Sequence, residues 1–505
     1  MEKRKKPMLS GLDEESPEQS PEKPLLPSKL KIKPYTKYIL LWNHKSIDSS
    51  KIKFILTQIA EQGLDNEETF VNYVLVIKKV CESHFYTKTE GLNSFRKFVS
   101  SLKSEEHTKL FKEIIPFIAM LALRVELMYP EGILPLLSMG KQNIVKLSRG
   151  EVACILANQF FCALPKQSKE FKLGEHDMYT LMSDAGLSFG GTAIEKLRCI
   201  FGYFEVMMKK EPDGIITIAR NCLSEEEKKQ YTIEGWLKSE KEMLEMKLET
   251  EGRIENQHDM IQVDFANKFI GGGIDGFSYQ EQVLFAISPE LYSTCLICEE
   301  MNDDEAILIT GVQVFSNYSG YDLTFKYAGS AKDPLEDKKD ILNRIPRQIL
   351  GLDALPFGKG LSKLLQFEIK ATVRELNKAL IGFKGDFQSD ETDLRPIATG
   401  KWGCGVFNGC LEYKWLIQWI AASEVGRKMI FCGFDGGELV SFYSLIKKLE
   451  GRKVGEVVKI LIEISELILE KREKLLKEEG EIEDINISEI ITQFIQNKLL
   501  NPPAS

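Results

Sequence analysis

The sequence predicts an α/β protein, a sheet with helices on both faces preceded by a helical region, and three observations predict it. Apolar residues recur at three- and four-residue steps from about Thr36 to Lys210; short β-branched or apolar runs bounded by Gly, Asp or Asn begin after Asp213; and helical patterns separate those runs. Alternation of the last two kinds implies a sheet covered on both sides.

In the first region Phe70, Tyr73, Val74, Ile77 and Val80 make one stripe, and Phe111, Ile114, Ile115, Ile118 and Leu121 make another, so each helix turns one face to a core. Ser148 and Glu151 have the spacing of a capping box, which predicts a helix running through Phe161. Residues 36–212 therefore read as an all-helical accessory domain. Residues 1–35, rich in Pro, Ser, Glu and Lys, bury too little apolar surface to offset the cost of ordering and read as a disordered tail with a basic cluster at Lys3, Arg4, Lys5 and Lys6.

Strands are expected at Gly214–Ala219, Ile261–Val263, Ala306–Thr310 and Met429–Phe431, and helices at Gln280–Ala286, Ile369–Leu380 and Lys414–Val425, giving an α/β domain over 213–450. Beyond Gly451, Val457–Leu469 and Ile485–Leu500 read as amphipathic helices, so 451–505 is expected to pack on that domain as an extension.

A chain of 505 residues with 43% hydrophobic content can build substantial cores. Its net charge of −9 argues against a broad basic surface for sequence-specific nucleic-acid binding, and it leaves room for a polyanion held at one local site. Ten cysteines lie scattered from Cys81 to Cys432 without a regular framework, and there is no secretory signal, so a reducing compartment, nucleus or cytoplasm, is expected. Cys295 and Cys298 form one CxxC with no second pair. They read as half-buried thiols on a helix, and no metal is expected. The apolar run Val152–Leu164 is broken by Asn158 and Gln159 and is too short to cross a bilayer, so no membrane association is expected.

The stretch Ile261–Gln282 carries the densest chemistry. Asp264 closes an apolar run, Asn267 comes next, then Gly271, Gly272 and Gly273, then Gln280, Glu281 and Gln282 ahead of an apolar helix. Consecutive glycines give up side-chain burial, which suits a backbone at positive φ or close to a ligand. Such a loop directs N–H groups at phosphate or hydroxyl oxygens. A carboxylate on each side is the equipment of glycoside cleavage. The spacing does not fit GxGxxG, and no GxxxxGK[ST] run occurs, which argues against dinucleotide oxidoreductases and P-loop hydrolases.

The segment resembles the signature of the poly(ADP-ribose) glycohydrolases: Val263, Asp264, Phe265, Ala266 and Asn267, the glycine triplet, then Gln280 and Glu281, with Gln282 where the family has its second glutamate. Further stretches resemble the family in the same order, among them Leu147–Pro165, Glu195–Glu205 and Arg374–Phe383. The resemblance implies a macrodomain, a three-layer α/β/α module with a mixed sheet, joined to a helical domain. It also implies hydrolysis of ribose-ribose O-glycosidic bonds of poly(ADP-ribose), mainly from the chain end, releasing ADP-ribose, without metal or organic cofactor. Poly(ADP-ribosyl)ated proteins are then the partners, and a monomer is expected.

Carried over residue by residue, the resemblance places Ile254 and Glu255 at the adenine and gives Tyr321 a nucleotide contact. The loop Gly400, Lys401, Trp402, Gly403, Cys404, Gly405, Val406 is set at the diphosphate, with Lys401 where the family commonly has asparagine. Phe407 falls beside the ribose and Phe434 against the adenine. Asn267 and Glu281 grip ribose hydroxyls, Gln280 to Gln282 form the acidic triplet's counterpart, and Asp264 orients it. A carboxamide at 282 has no acidic proton to deliver. Three explanations are open: a Glu→Gln change made to trap substrate, a natural reader of the polymer, or transfer of the acid role to Glu281. A binding module without catalysis is the rival reading.

Overall fold

Alternating Ile, Leu and Val residues build an eight-stranded mixed sheet in the computed structural model, which describes residues 37–82, 91–183, 191–272, 276–387, 394–434, 436–477 and 486–500. The strands in chain order are β1 (Tyr38–Leu40), β2 (Ile133–Pro135), β3 (Asn143–Ser148), β4 (Ile215–Cys222), β5 (Met246–Glu249), β6 (Ile261–Asp264), β7 (Glu305–Thr310), β8 (Ser316–Ser319), β9 (Lys326–Ser330), β10 (Gln348–Gly351), β11 (Ile397–Thr399) and β12 (Met429–Cys432). The main sheet has the order β3-β4-β7-β10-β6-β11-β12-β5, while β1 pairs with β2 and β8 with β9.

Five neighbouring strands, β10, β6, β11, β12 and β5, run parallel, and β7, β4 and β3 complete the sheet antiparallel. Parallel strands end on one edge. The loops that leave β5, β6, β11 and β12 therefore open side by side, which is where open α/β sheets hold ligands.

Successive side chains of a strand face opposite ways, and here they divide two cores. Ile307 and Ile309 of β7 face the core shared with the helices Glu67–Cys81, Arg149–Phe160 and Thr192–Lys209, whereas Ala306 and Leu308 face the core shared with Ile369–Phe383 and Leu411–Glu424. Helices thus cover both faces, as the three-layer expectation requires. The expected capping box is present, with Ser148 Oγ accepting from Glu151 N–H and Glu151 accepting from Ser148 N–H. The helices Val454–Lys477 and Ile487–Leu500 bury Val457, Leu461, Ile464, Ile491 and Ile495 in the second core.

Two findings differ from the sequence expectations. The stretch 36–212 is not helical throughout: β1 and β2 pair within it, and β3 joins the main sheet beside β4, because Ile144, Val145 and Leu147 have apolar surroundings on both faces. Cys295 and Cys298 are fully rather than half buried, and Cys298 lies just past the helix Tyr292–Ile297. The tail 1–35 and Gly273 lie outside the described residues. Among the described residues no helix is long and apolar enough to cross a membrane.

A buried ion pair ties the helix Arg149–Phe160 to Glu290 and the end of β7. Arg149, at the first turn of Arg149–Phe160, pairs with Glu290 and donates to Gly311 O beyond β7, while Glu290 accepts from Gln313 N–H at 2.9 Å. Both side chains are at most 1% exposed. Breaking such a pair strands a charge in the interior, at a cost of about 3–5 kcal/mol. Glu290→Ala is accordingly expected to lower unfolding stability by that amount in urea titrations, and a loss below about 1 kcal/mol would show that the pair does not hold the helix in place.

Candidate active site

The helix Gln280–Ile287 starts directly beneath the end of β6, and its first residue fastens the two together. Gln280 accepts from Phe265 N–H at 2.8 Å and donates to Val263 O at 3.0 Å, pairing with the strand edge as a neighbouring strand would. Glu281 is consequently held inward. Its carboxyl group accepts from Gly271 N–H at 2.7 Å and from Asn267 N–H at 3.3 Å.

Glu281 and Asp264 are 4% and 0% exposed, and no cation neutralises either among the described residues. Burial lifts the Asp264 carboxyl to about 8, and neither of its oxygens meets a hydrogen-bond partner among the described residues. Burial, then the neighbouring Asp264, drive Glu281 well above the usual carboxylate range. Like charges in one dry site cannot both ionise.

Gly271 is obligatory here. Its φ is +74°, and a Cβ would lie 2.6 Å from both Cys295 Sγ and Phe285 Cε1. At Gly272 a Cβ would meet Phe269 O at 2.7 Å. Gly272 lines the cleft, whereas Gly271 turns its N–H to Glu281 and does not. The expectation that both glycines press on a ligand is corrected to that extent: Gly271 shapes the carboxylate site from behind.

Gln282 stands one residue on. Its Nε2 donates to Gly272 O at 3.3 Å and lies 3.5 Å from Glu281 Oε2, leaving Oε1 without a partner among the described residues. The amide is thus oriented by an acceptor that only a donor can satisfy.

The loop after β5 and the loop after β12 form the other end. Ile254 is buried against Ala398, Ile430 and Cys432, and Glu255 accepts from the Tyr318 hydroxyl. Phe434 holds φ at +47°, a left-handed value that a bulky residue adopts at a cost. Its ring meets Tyr321 at 4.9 Å.

The loop after β11 is folded on an inner prop. The Trp402 indole is fully buried, donates to Leu352 O at 2.9 Å and lies 3.8 Å beneath the Lys414 amine, which also contacts Glu375. Trp402 lines the cleft with its indole engaged by Leu352 and Lys414, which suits the expectation that this loop meets a diphosphate through backbone amides. Gly400 stands outside the cleft, where a Cβ would meet Cys432 O at 2.7 Å. Gly403, with φ +72°, leaves no room for a Cβ against Ala354. The N–H groups of Gly405, Val406 and Phe407 meet no acceptor among the described residues, as an anion-receiving loop requires. Lys401 points to the same mouth and pairs with Glu438 at 3.5 Å.

These pieces enclose a cavity of about 510 Å³, a size typical of small-molecule sites. Ile254, Glu255, Asn267, Gly272, Gln280, Glu281, Gln282, Tyr321, Phe434 and the loop from Lys401 to Phe407 all line it. Asp264 does not: it is sealed beside Glu281 and reaches the cleft only through that neighbour. Arg253, Phe265, Tyr279 and Tyr318 also line the cavity; the sequence assigns none of them a site role, though Phe265 belongs to the signature run. Among the described residues no three His, Cys, Asp or Glu side chains cluster to hold a metal.

Comparison with known proteins agrees with the geometry. Residues 102–220 match the family model described as poly(ADP-ribose) glycohydrolase, helical domain, and residues 233–441 match its macro domain fold model. The chain is 28% identical over 434 residues to the probable poly(ADP-ribose) glycohydrolase 2 of Arabidopsis thaliana, covering 74% of this chain and 82% of that protein. Against the poly(ADP-ribose) glycohydrolase 1 of the same plant it is 30% identical over 413 residues, 66% of this chain and 73% of the relative. Against poly(ADP-ribose) glycohydrolase 1 of Caenorhabditis elegans it is 33% identical over 363 residues, 70% of this chain but 43% of that protein.

The buried acids make stability depend on pH in a definite direction. An unfolded aspartate ionises near about 3.9, whereas folding lifts Asp264 to about 8. Across that window the folded state holds the additional proton, so its contribution is complete at low pH and is lost as pH rises through the folded value. Asp264→Asn is expected to flatten the decline in urea midpoint between pH 5 and pH 8 without abolishing it, since Glu281 contributes in the same sense. An unaltered slope would mean that Asp264 is not the proton holder.

Proposed function

Because the chain belongs to the poly(ADP-ribose) glycohydrolase family, we propose that its cleft takes the terminal ADP-ribose of poly(ADP-ribose) and that Gln282 decides whether the bound polymer is cut. The base rests by Phe434, Tyr321 and Ile254, the diphosphate lies on the loop from Lys401 to Phe407, and the distal ribose sits against Gly272, Asn267 and Glu281. Energy from the remote nucleotide holds the scissile ribose bond in place for reaction.

The reaction needs an acid at the leaving oxygen. As the bond from the anomeric carbon breaks, a proton goes to the departing ribose, an oxocarbenium-like centre develops, and water adds while returning its proton to the carboxylate just formed. The observation that carries the reading is the bond from Gln282 Nε2 to Gly272 O. A glutamic acid in this place satisfies that carbonyl only in its protonated form, so the position favours a general acid. Glutamine satisfies it permanently and has no proton to release. Binding persists, and the chain behaves as a polymer reader or trap whose hydrolysis is impaired.

Glu281 supports a second reading, since it lines the cleft and burial, with Asp264 beside it, raises its affinity for protons well above that of an ordinary carboxylate. In that case a slow reaction runs through Glu281.

Labelled poly(ADP-ribose) separates the two. The chain as it stands is expected to bind the polymer and release almost no ADP-ribose, and Gln282→Glu to raise release by about 10²–10⁴-fold, the usual worth of general acid-base assistance. Measurable release that disappears in Glu281→Gln would favour the second reading. Tight binding with no release by either form would mean a reader whose cleft lacks more than the acid.

A further inference from the structure

We propose that Arg253 sets the base selectivity of the cleft as a positioning residue: through Tyr318 it holds the Glu255 carboxylate as an acceptor for an exocyclic amine. The inference rests on the reading that the cleft takes ADP-ribose and deepens it.

Three groups form a one-directional chain. Arg253 Nη1 donates to the Tyr318 hydroxyl oxygen at 2.6 Å, and that hydroxyl donates to Glu255 Oε1. A guanidinium has donors only and a phenol has one proton, so the order cannot run backwards at ordinary pH. With the Tyr318 proton given to Oε1, the Glu255 carboxylate offers further lone pairs but no hydrogen. A ligand edge must therefore bring an N–H. The amino group of adenine does so, whereas hypoxanthine turns a carbonyl oxygen to the same place and meets repulsion.

Arg253 has a second contact that aligns it with the base. Its guanidinium stands 5.2 Å from the centre of the Tyr318 ring and 5.0 Å from that of Phe434. Cation–π attraction to both rings fixes the plane of the group that fixes Glu255. The strained backbone of Phe434 is then intelligible, because it turns the ring toward Arg253 as well as toward Tyr321. Arg253 comes from the loop after β5, Tyr318 from the hairpin of β8 and β9, and Phe434 from the loop after β12. Selectivity is thus distributed over three loops that meet only in the folded chain.

Calorimetric titration of the full chain with ADP-ribose and with its hypoxanthine analogue tests this. The unaltered chain is expected to prefer ADP-ribose by about tenfold or more, the worth of one hydrogen bond to a charged group. Arg253→Met, which keeps the apolar stem, and Tyr318→Phe, which removes only the hydroxyl, are each expected to narrow that preference to within about threefold. A merely structural role would weaken both ligands equally and leave the ratio unchanged, and that result, or a ratio near one in the unaltered chain, would overturn the inference. If Arg253→Met fails to fold, the Tyr318→Phe ratio decides alone. Should the unaltered chain bind neither ligand, the ADP-ribose reading itself falls; if it binds both and the variants behave alike toward them, only the role of Arg253 does.

Discussion

Two carboxyl groups, Asp264 and Glu281, are buried as neighbours, Glu281 supported by the Gly271 and Asn267 N–H groups and the Asp264 carboxyl by no hydrogen bond among the described residues, and the site is arranged around that constraint. An unpaired charge in the interior is expensive, so the low-energy solution is to keep protons on the pair. The neighbourhood is built accordingly. Gly271 adopts a left-handed φ that aims its N–H at Glu281, and the space a Cβ would need is filled by Cys295 and Phe285. The Gln280 side-chain amide holds the helix start against β6 through Phe265 N–H and Val263 O, so the placement of Glu281 beside the end of the strand follows from two hydrogen bonds to the β6 main chain.

Much of this was legible in the sequence because it is contiguous. Asp264, Asn267, the glycines and the Gln-Glu-Gln run lie within twenty residues, and a strand, a turn and a helix start bring them together whatever the rest of the chain does. The loop around Gly403 was legible because a glycine-rich segment follows an extended run, and Phe434 through the resemblance to the family. What was not legible is tertiary. Arg253 shows no partner in the sequence until the hairpin carrying Tyr318 meets it, and the burial of the Trp402 indole against Lys414 and Leu352 is equally invisible there.

The strands that the sequence hides have a common cause. Met246–Glu249 is an edge strand with charged residues facing out, so its alternation carries little apolar signal, and Gln348–Gly351 and Ile397–Thr399 are too short to establish a period. Asn143–Ser148 runs directly into a strong capping signal, which makes the helix conspicuous and the strand before it inconspicuous. Helices were easier to read because their stripes extend over three or more turns. The layered class came from the helices and from four apolar runs, and the sheet order required the missing four.

The scaffold and the chemistry separate at residue 282. The cleft is shaped by what that side chain must donate to, the carbonyl of Gly272, and by the donors that hold Glu281; an amide and a protonated acid meet those demands equally well. Packing, hydrogen bonding and burial are therefore nearly indifferent to the exchange. On the proposed mechanism hydrolysis is not, because it depends on a proton that leaves and returns, and only the acid has one. On that reading the fold retains the contacts proposed to recognise the nucleotide while position 282 lacks the proton the reaction requires.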